Sequence, residues 1–313
     1  MNATKCVGFT GVLLLSSAAQ ALDWNQDWSD WEVRPRVTTG VMQYKYEQES
    51  RLSGSGSLAG AATEIEVEDS LLFAEVGVSV FLGGLFVDLS YQKSDEGEDD
   101  FNQEILALGE VDGLAFVAAG DENSQRQMER EEFSLSIGYA ITDRLGVFGG
   151  YKQNDTQFDD RGRQQILILA LPSGETNEST LLATRDAELE QDGFFLGATY
   201  VWPFESEGWL NGAISIDLGV AFLDGDLTED EVTRTEGDTL DPQSQSLSGG
   251  GDAVGLNLGI AWSGPITERL NYSISVDGYQ YDYDADSDSS DFRDTLFRFF
   301  VGVSDAIDAQ GVF

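Results

Sequence analysis

Apolar and polar residues alternate with a period of two along much of this chain. The clearest example is Leu71 to Tyr91. Leu72, Ala74, Val76, Val78, Val80 and Leu82 alternate with Leu71, Phe73, Glu75, Gly77, Ser79 and Phe81. After Gly83-Gly84, Leu85, Val87, Leu89 and Tyr91 alternate with Phe86, Asp88, Ser90 and Gln92. Successive strand side chains point to opposite faces, so this pattern predicts a hairpin with one apolar face and one mixed face carrying carboxylates. Such a hairpin suits a wall between lipid and a wet lumen.

Further strands follow the same rule. One runs from about Val33 to Tyr46, where the phase slips near Thr38-Thr39-Gly40 and predicts a bulge. Others cover Glu132–Ile141, Leu145–Lys152, Asp192–Trp202, Leu210–Phe222, Val254–Trp262, Leu270–Asp277 and Arg293–Val303. Proline cannot donate to a ladder, so Pro203 ends one of them. The connections alternate between long and short. Residues 47–68, 94–131, 153–191 and 224–252 read as long polar loops, and a shorter acidic one surrounds Asp282 to Asp291. Soluble sandwiches give no reason for every second connection to be long. A barrel with short periplasmic turns and long extracellular loops does.

The expectation is therefore an all-β, transmembrane, antiparallel up-and-down barrel of ten strands. Ile105–Leu108 with Leu114–Ala119, and Gln165–Leu171 with Thr180–Thr184, are short for spanning strands and read as hairpins above the membrane. Were they to cross, the count would be 12 or 14.

The N-terminus adds a destination. Lys5, the apolar run Val7–Leu15 and Ala19-Gln20-Ala21 have the form of a cleaved signal peptide over residues 1–21. Residues 22–32, with Trp24, Trp28 and Trp31, read as a periplasmic leader, residues 33–304 as the barrel and 305–313 as a tail. Removal of Cys6 with the signal leaves no cysteine for disulfides or thiol chemistry. Export without a spanning helix points to the cell outer membrane after Sec-type export.

On these strands and on the repeated turn wording Thr142-Asp143-Arg144-Leu145 and Thr267-Glu268-Arg269-Leu270, the chain resembles the outer-membrane β-barrel proteins of Gram-negative bacteria. The resemblance implies contact with outer-membrane lipid and lipopolysaccharide, and handling by the barrel assembly machinery. Phe313 fits the terminal aromatic of such chains by position, although Asp305, Asp308 and Gly311 break the alternation before it. A monomer is expected.

Charge and chemistry narrow the function. A formal net charge of -40 repels phosphate and argues against nucleic acid. The chain has no histidine. Barrel proteases of the omptin type, outer-membrane phospholipases and lipid A deacylases rely on a histidine base, so the expectation is no enzyme, no catalytic residue, no metal centre and no cofactor. The inward face should carry Glu75, Asp88, Lys152, Asp217, Asp277 and Arg298, with Lys45 added after the bulge. These either line a narrow cation-preferring channel for small solutes or pair off and fill the lumen. Charges confined in a lumen are costly unless paired, and about eight strands already give a side-chain-filled interior, so the filled lumen is preferred. Asp282, Asp284, Asp286, Asp288 and Asp291 suggest weak binding of divalent cations. They are not an EF-hand, because the sixth and twelfth positions hold Ser287 and Arg293. The expected role is a non-enzymatic barrel that shows acidic loops for surface interaction or envelope structure.

Overall fold

The computed structural model describes residues 3–4, 31–51, 62–111, 114–171, 176–204, 211–236, 242–285 and 290–308. The strands are β1 (Trp31–Arg51), β2 (Ala62–Leu82), β3 (Leu85–Ser94), β4 (Gly97–Val111), β5 (Leu114–Ala140) and β6 (Leu145–Leu171). They continue as β7 (Thr176–Phe204), β8 (Gly212–Thr235), β9 (Gln243–Pro265), β10 (Leu270–Ala285) and β11 (Ser290–Asp305). Except for β3 and β4, chain neighbours pair antiparallel, and β11 returns to pair with β1, so the sheet closes. β4 is not a further stave: it extends β3 along the same neighbour, β5. Ten staves therefore form the barrel. Ile307–Asp308 add a short pairing to β1, and Ala3–Thr4 pair with Asp282 and Tyr283.

Burial alternates strictly along the staves. The outward apolar residues form a belt, from Phe133 to Tyr139 on β5, Phe194 to Trp202 on β7, Ile214 to Phe222 on β8 and Val254 to Ile260 on β9. This run approaches the roughly 9–11 residues a tilted strand needs to cross a hydrocarbon core. Leu256 is 71% exposed and Phe194 68%, an extent of bare apolar surface that water does not tolerate but lipid does. Aromatics edge the belt: Tyr91, Phe133, Tyr151, Phe194, Phe222 and Phe297 on one side, Trp31, Tyr139, Tyr200, Trp202 and Tyr272 on the other. Such paired girdles mark the two interfaces of a membrane barrel. Among the described residues no helix is long and apolar enough to cross a membrane.

The turns at the short end follow from local chemistry. Gly83 takes φ 57°, the positive value required at the first central position of a primed two-residue turn. Thr142 and Thr267 each accept N–H bonds from the residues two and three further on, the Arg and the Leu, which explains the repeated Thr-x-Arg-Leu wording.

Three expectations need correction. First, β1 pairs with both β2 and β11 in unbroken register through Thr38-Thr39-Gly40, so there is no bulge there. The apparent slip arises because the inward face of β1 changes chemistry, from Arg34, Arg36 and Thr38 to Met42, Tyr44 and Tyr46. Lys45 consequently lies outside, where it pairs with Glu47. Second, the bulge of this barrel is at the β3–β4 junction. Lys93 pairs with Glu131 and Gly97 with Met128, so three residues face two. Asp95 anchors it, exchanging bonds of 2.8 Å with the backbone of Leu72.

Third, most of what reads as long loop is strand. β5 and β6 pair as far as Ala115 and Leu171, and β6 and β7 as far as Leu169 and Thr176. The presumed separate hairpins are the ends of these staves. Beyond the belt both faces meet polar surroundings, so the apolar alternation disappears while the ladder continues.

Candidate functional site

Two arrangements could carry function: the lumen and the outward surface above the belt.

In the lumen, charges are gathered into connected groups. Near the short-turn end Arg36 bonds Glu75 at 3.0 Å and grips Asp88 with two bonds of 2.6 and 3.1 Å; Ser79 donates to Asp88 at 3.1 Å. The fork of guanidinium donors matches a carboxylate, and here it satisfies two. Gly77 makes room for it, since a Cβ there would lie 2.5–2.8 Å from the guanidinium atoms.

One layer further, Arg298 grips Asp277 with bonds of 3.0 and 2.6 Å and donates to Gln92 at 2.8 Å. Glu132 lies 3.7 Å from Arg298 and 2.8 Å from Lys152. Above this, Arg130 donates to Thr156 at 2.6 Å and to the Tyr279 hydroxyl at 3.3 Å. Arg130 is on β5 and Tyr279 on β10, half-way round a ten-stave barrel, so this contact spans the lumen. Other contacts cross it too. Gln191 on β7 donates to Asp294 on β11 at 3.1 Å, and Phe158 on β6 packs against Tyr44 and Tyr46 on β1. Near the far end Arg126 holds Asp160 in a two-bond grip.

The expected inward residues are all buried: Glu75, Asp88, Lys152, Asp217, Asp277 and Arg298. The structure brings Glu75 with Asp88, and Asp277 with Arg298. It sets Lys152 against Glu132, a residue not anticipated. Arg34, Arg36, Arg126, Arg130, Glu132 and Asp160 were all missed. For Arg34 and Arg36 the signal was available, because Val33, Pro35 and Val37 set the phase that turns them inward. Asp217 differs from the other three acids: among the described residues no arginine or lysine acts on it.

On the outside, acids replace apolar residues directly above the upper girdle. Asp192 on β7, Asp224 on β8 and Asp252 on β9 are successive direct partners across the sheet. Higher rows juxtapose Asp155, Glu190 and Asp226, and then Asp159, Asp186 and Asp230. Partial burial, and then the neighbouring Asp186 carboxylate, hold Asp159 above the usual carboxylate range. The opposite side of the barrel is more balanced, with Lys93 bridging Glu129 and Glu131, and Arg293 meeting Glu47 and Asp282.

Three residues of the expected acidic loop fall within described strands. Asp282 is outward on β10 and paired with Arg293; in register Asp284 is opposite Asp252, and Asp291 opposite Glu49. Asp286 and Asp288 lie outside the described residues. Among the described residues no group of three or more His, Cys, Asp or Glu is placed to hold a metal ion.

No family model matches the sequence, and no curated protein does. Solved structures do. The outer membrane protease OmpT from Escherichia coli superposes with a TM-score of 0.54 at 10% identity, over 88% of this chain and 97% of that one. The P. putida toluene transporter TodX gives 0.28 at 9% identity, over 97% and 96% of the two chains. Ail, the attachment invasion locus protein of Yersinia pestis, gives 0.28 at 8%, over 87% and 98%. At such identities likeness speaks for fold alone, and the fold is that of a Gram-negative outer-membrane β-barrel.

Proposed function

We propose that this chain is a non-enzymatic outer-membrane barrel whose lumen is largely filled by its own side chains. It displays an acidic surface above the membrane for surface interaction or envelope structure. The observation that carries the reading is the bridge from Arg130 to Tyr279, which joins opposite walls. A continuous water path past such a bridge would need a gap that the surrounding Tyr44, Phe158 and Gln191 also occupy. The absence of any histidine in the sequence removes the base on which omptin-type and lipase-type barrel chemistry relies.

The acid rows give the display its chemistry. They stand at the height of lipid headgroups, where divalent cations shared with lipopolysaccharide phosphates offset both sets of negative charge. Exported and assembled protein, with residues 1–21 removed, is the form that acts.

A second reading, a narrow cation-preferring channel, is favoured by the small inward residues on β8 and β9: Gly219, Gly259, Ala221, Ala253 and Ala261. Planar-bilayer recording separates the two. A filled lumen gives no steady steps from the full-length protein, and Arg130→Ala increases leakage. Steady, cation-selective steps from the unaltered protein reject the filled lumen in favour of the channel.

A further inference from the structure

The wall does not stay closed to its top. From Phe73 to Leu82, β2 is paired with β1 on one side and with β3 on the other. Residues 62–71 of the same strand keep only the ladder to β1. β4 carries the wall upward from β3, but over Gly97–Val111 it pairs with β5 alone. Among the described residues no ladder joins β2 to β4, so two strands running in opposite directions turn open edges towards each other across a seam. From β5 to β8 the ladders continue through the region above the belt.

The opening is built into the joint. The Asp95 carboxylate takes the Leu72 N–H, and the Asp95 N–H donates to the Leu72 carbonyl. A side chain thus stands where the next backbone partner would be, and the ladder stops. Gly97 follows, and a Cβ there would overlap the side chains of Leu71 and Asp69. Side chains, not backbone bonds, therefore fill the root of the seam. In a strand the backbone groups of every second residue point to the same side. Leu72 turns its N–H and carbonyl to Asp95, so those of Glu64, Glu66, Glu68 and Ser70 point into the seam.

An open edge is a template for another strand. Composition says which kind. Glu64, Glu66 and Glu68 lie on one edge and Glu98, Asp99 and Asp100 on the other, and neither segment has a lysine or arginine. A second copy would set acids against acids, and like charges directly opposite are destabilising. A strand rich in lysine or arginine turns the same charges into attraction. The unpaired edge of β9, residues 243–250 above its last β10 partner, has no charged residue and makes no such selection.

We infer that the seam between β2 and β4 takes an extended basic segment of a partner protein by strand addition. The open backbone edges supply the ladder, and the acids supply the selectivity. The inference rests on the surface-interaction reading above and gives it a place and a partner chemistry.

The probe is a fluorescent peptide of about ten residues alternating lysine with threonine or valine, titrated into the full-length protein in detergent micelles. Hydrogen exchange then locates it. The peptide is expected to bind, to protect the amides of residues 62–70, and to weaken several-fold as salt rises from about 50 to about 300 mM. A twin methylated at alternate backbone nitrogens keeps the charge and loses ladder donors, and should bind about tenfold more weakly or worse. A twin with glutamate for lysine should not bind. Glu66→Pro removes a seam-facing N–H and leaves the β1 ladder, so it should cost more affinity than Glu66→Gln, which removes the charge alone. Should Glu66→Pro not fold, the methylated twin carries the same comparison.

No binding overturns the proposal. So does equal binding by the methylated twin, which would mean charge without a strand, or binding indifferent to Glu66→Pro. Protection of residues 62–70 that grows with protein concentration in the absence of peptide assigns the seam to a second copy, and also overturns it. Protection confined to the outer rows of β6 to β8 overturns the seam but leaves the acidic display standing, so the two failures are told apart.

Discussion

The two faces of the same staves treat carboxylates in opposite ways. Inside, Glu75 and Asp88 share Arg36, Asp277 is gripped by Arg298, and Glu132 meets Lys152. Outside and above the belt, Asp192, Asp224 and Asp252 stand directly opposite one another. The difference lies in what else can offset a charge. A carboxylate buried among other side chains has little access to water or salt, so it needs a built-in partner. The outer face has water and ions, which screen like charges within about 8–10 Å. Interior acids other than Asp217 are thus explained by cationic partners. The outer rows cost stability, since like charges directly opposite are destabilising.

The largest effect should come from breaking the inner pairing. Arg36→Met leaves Glu75 and Asp88 buried without their cation, and removing one partner of a buried pair typically costs about 3–5 kcal/mol. Urea unfolding in lipid vesicles should show a loss of that order. Adding Glu75→Gln and Asp88→Asn to the same chain should recover most of it, because a neutral set leaves no orphaned charge. If the triple variant is as weak as the single one, packing rather than charge accounts for the loss. Gly77→Val tests the same group by volume. Its side chain would occupy the space of the Arg36 guanidinium, and overpacking of this kind costs about 1–3 kcal/mol. The same unfolding assay applies, and an unchanged midpoint would mean that Arg36 has another place to go.

Legibility in the sequence follows the same division between surroundings. Where one face meets lipid and the other does not, alternation is strong, and the ten staves with their short turns could be read directly. Above the belt the outer face meets water. Residues such as Gln153, Asp155, Gln157 and Asp159 then alternate with inward residues that are also polar, Asn154 and Thr156 among them. Nothing in hydropathy distinguishes that from a loop, so the extensions of β5, β6 and β7 were hidden. The lumen site was legible in part. Phase alone turned Glu75, Asp88, Asp277 and Arg298 inward, but it assumed that the apolar face is always the lipid face. Met42, Tyr44 and Tyr46 violate that assumption by filling the lumen, which created the false bulge and obscured Arg36. Partner choice across the barrel, as between Arg130 and Tyr279, depends on closure and stagger, which local pattern does not encode.

The smallest effect belongs to the outer rows, and there the sign is the informative part. Asp159 and Asp186 are direct partners on β6 and β7. Partial burial first, and then Asp186, raise the folded pKa of Asp159; Glu188 is raised in the same way by burial and by Asp155. A carboxyl whose pKa is higher folded than unfolded favours the folded state most when protonated. Its contribution is fully present below the unfolded value, about 3.9 for Asp, and is lost as pH rises through the folded one. Mild acidification should therefore tighten this surface. Asp186→Asn removes the like charge at neutral pH, and the stabilisation should not exceed about 0.2–1 kcal/mol, the span for cross-strand charge pairs, reduced further by solvent screening. Carbon-13 titration of the Asp159 carboxyl is the sensitive measurement. Its pKa should drop towards the ordinary value in Asp186→Asn and also when calcium is added to the unaltered protein. A titration unmoved by either change would mean that burial alone holds Asp159, and that the outer rows neither repel one another nor attract cations.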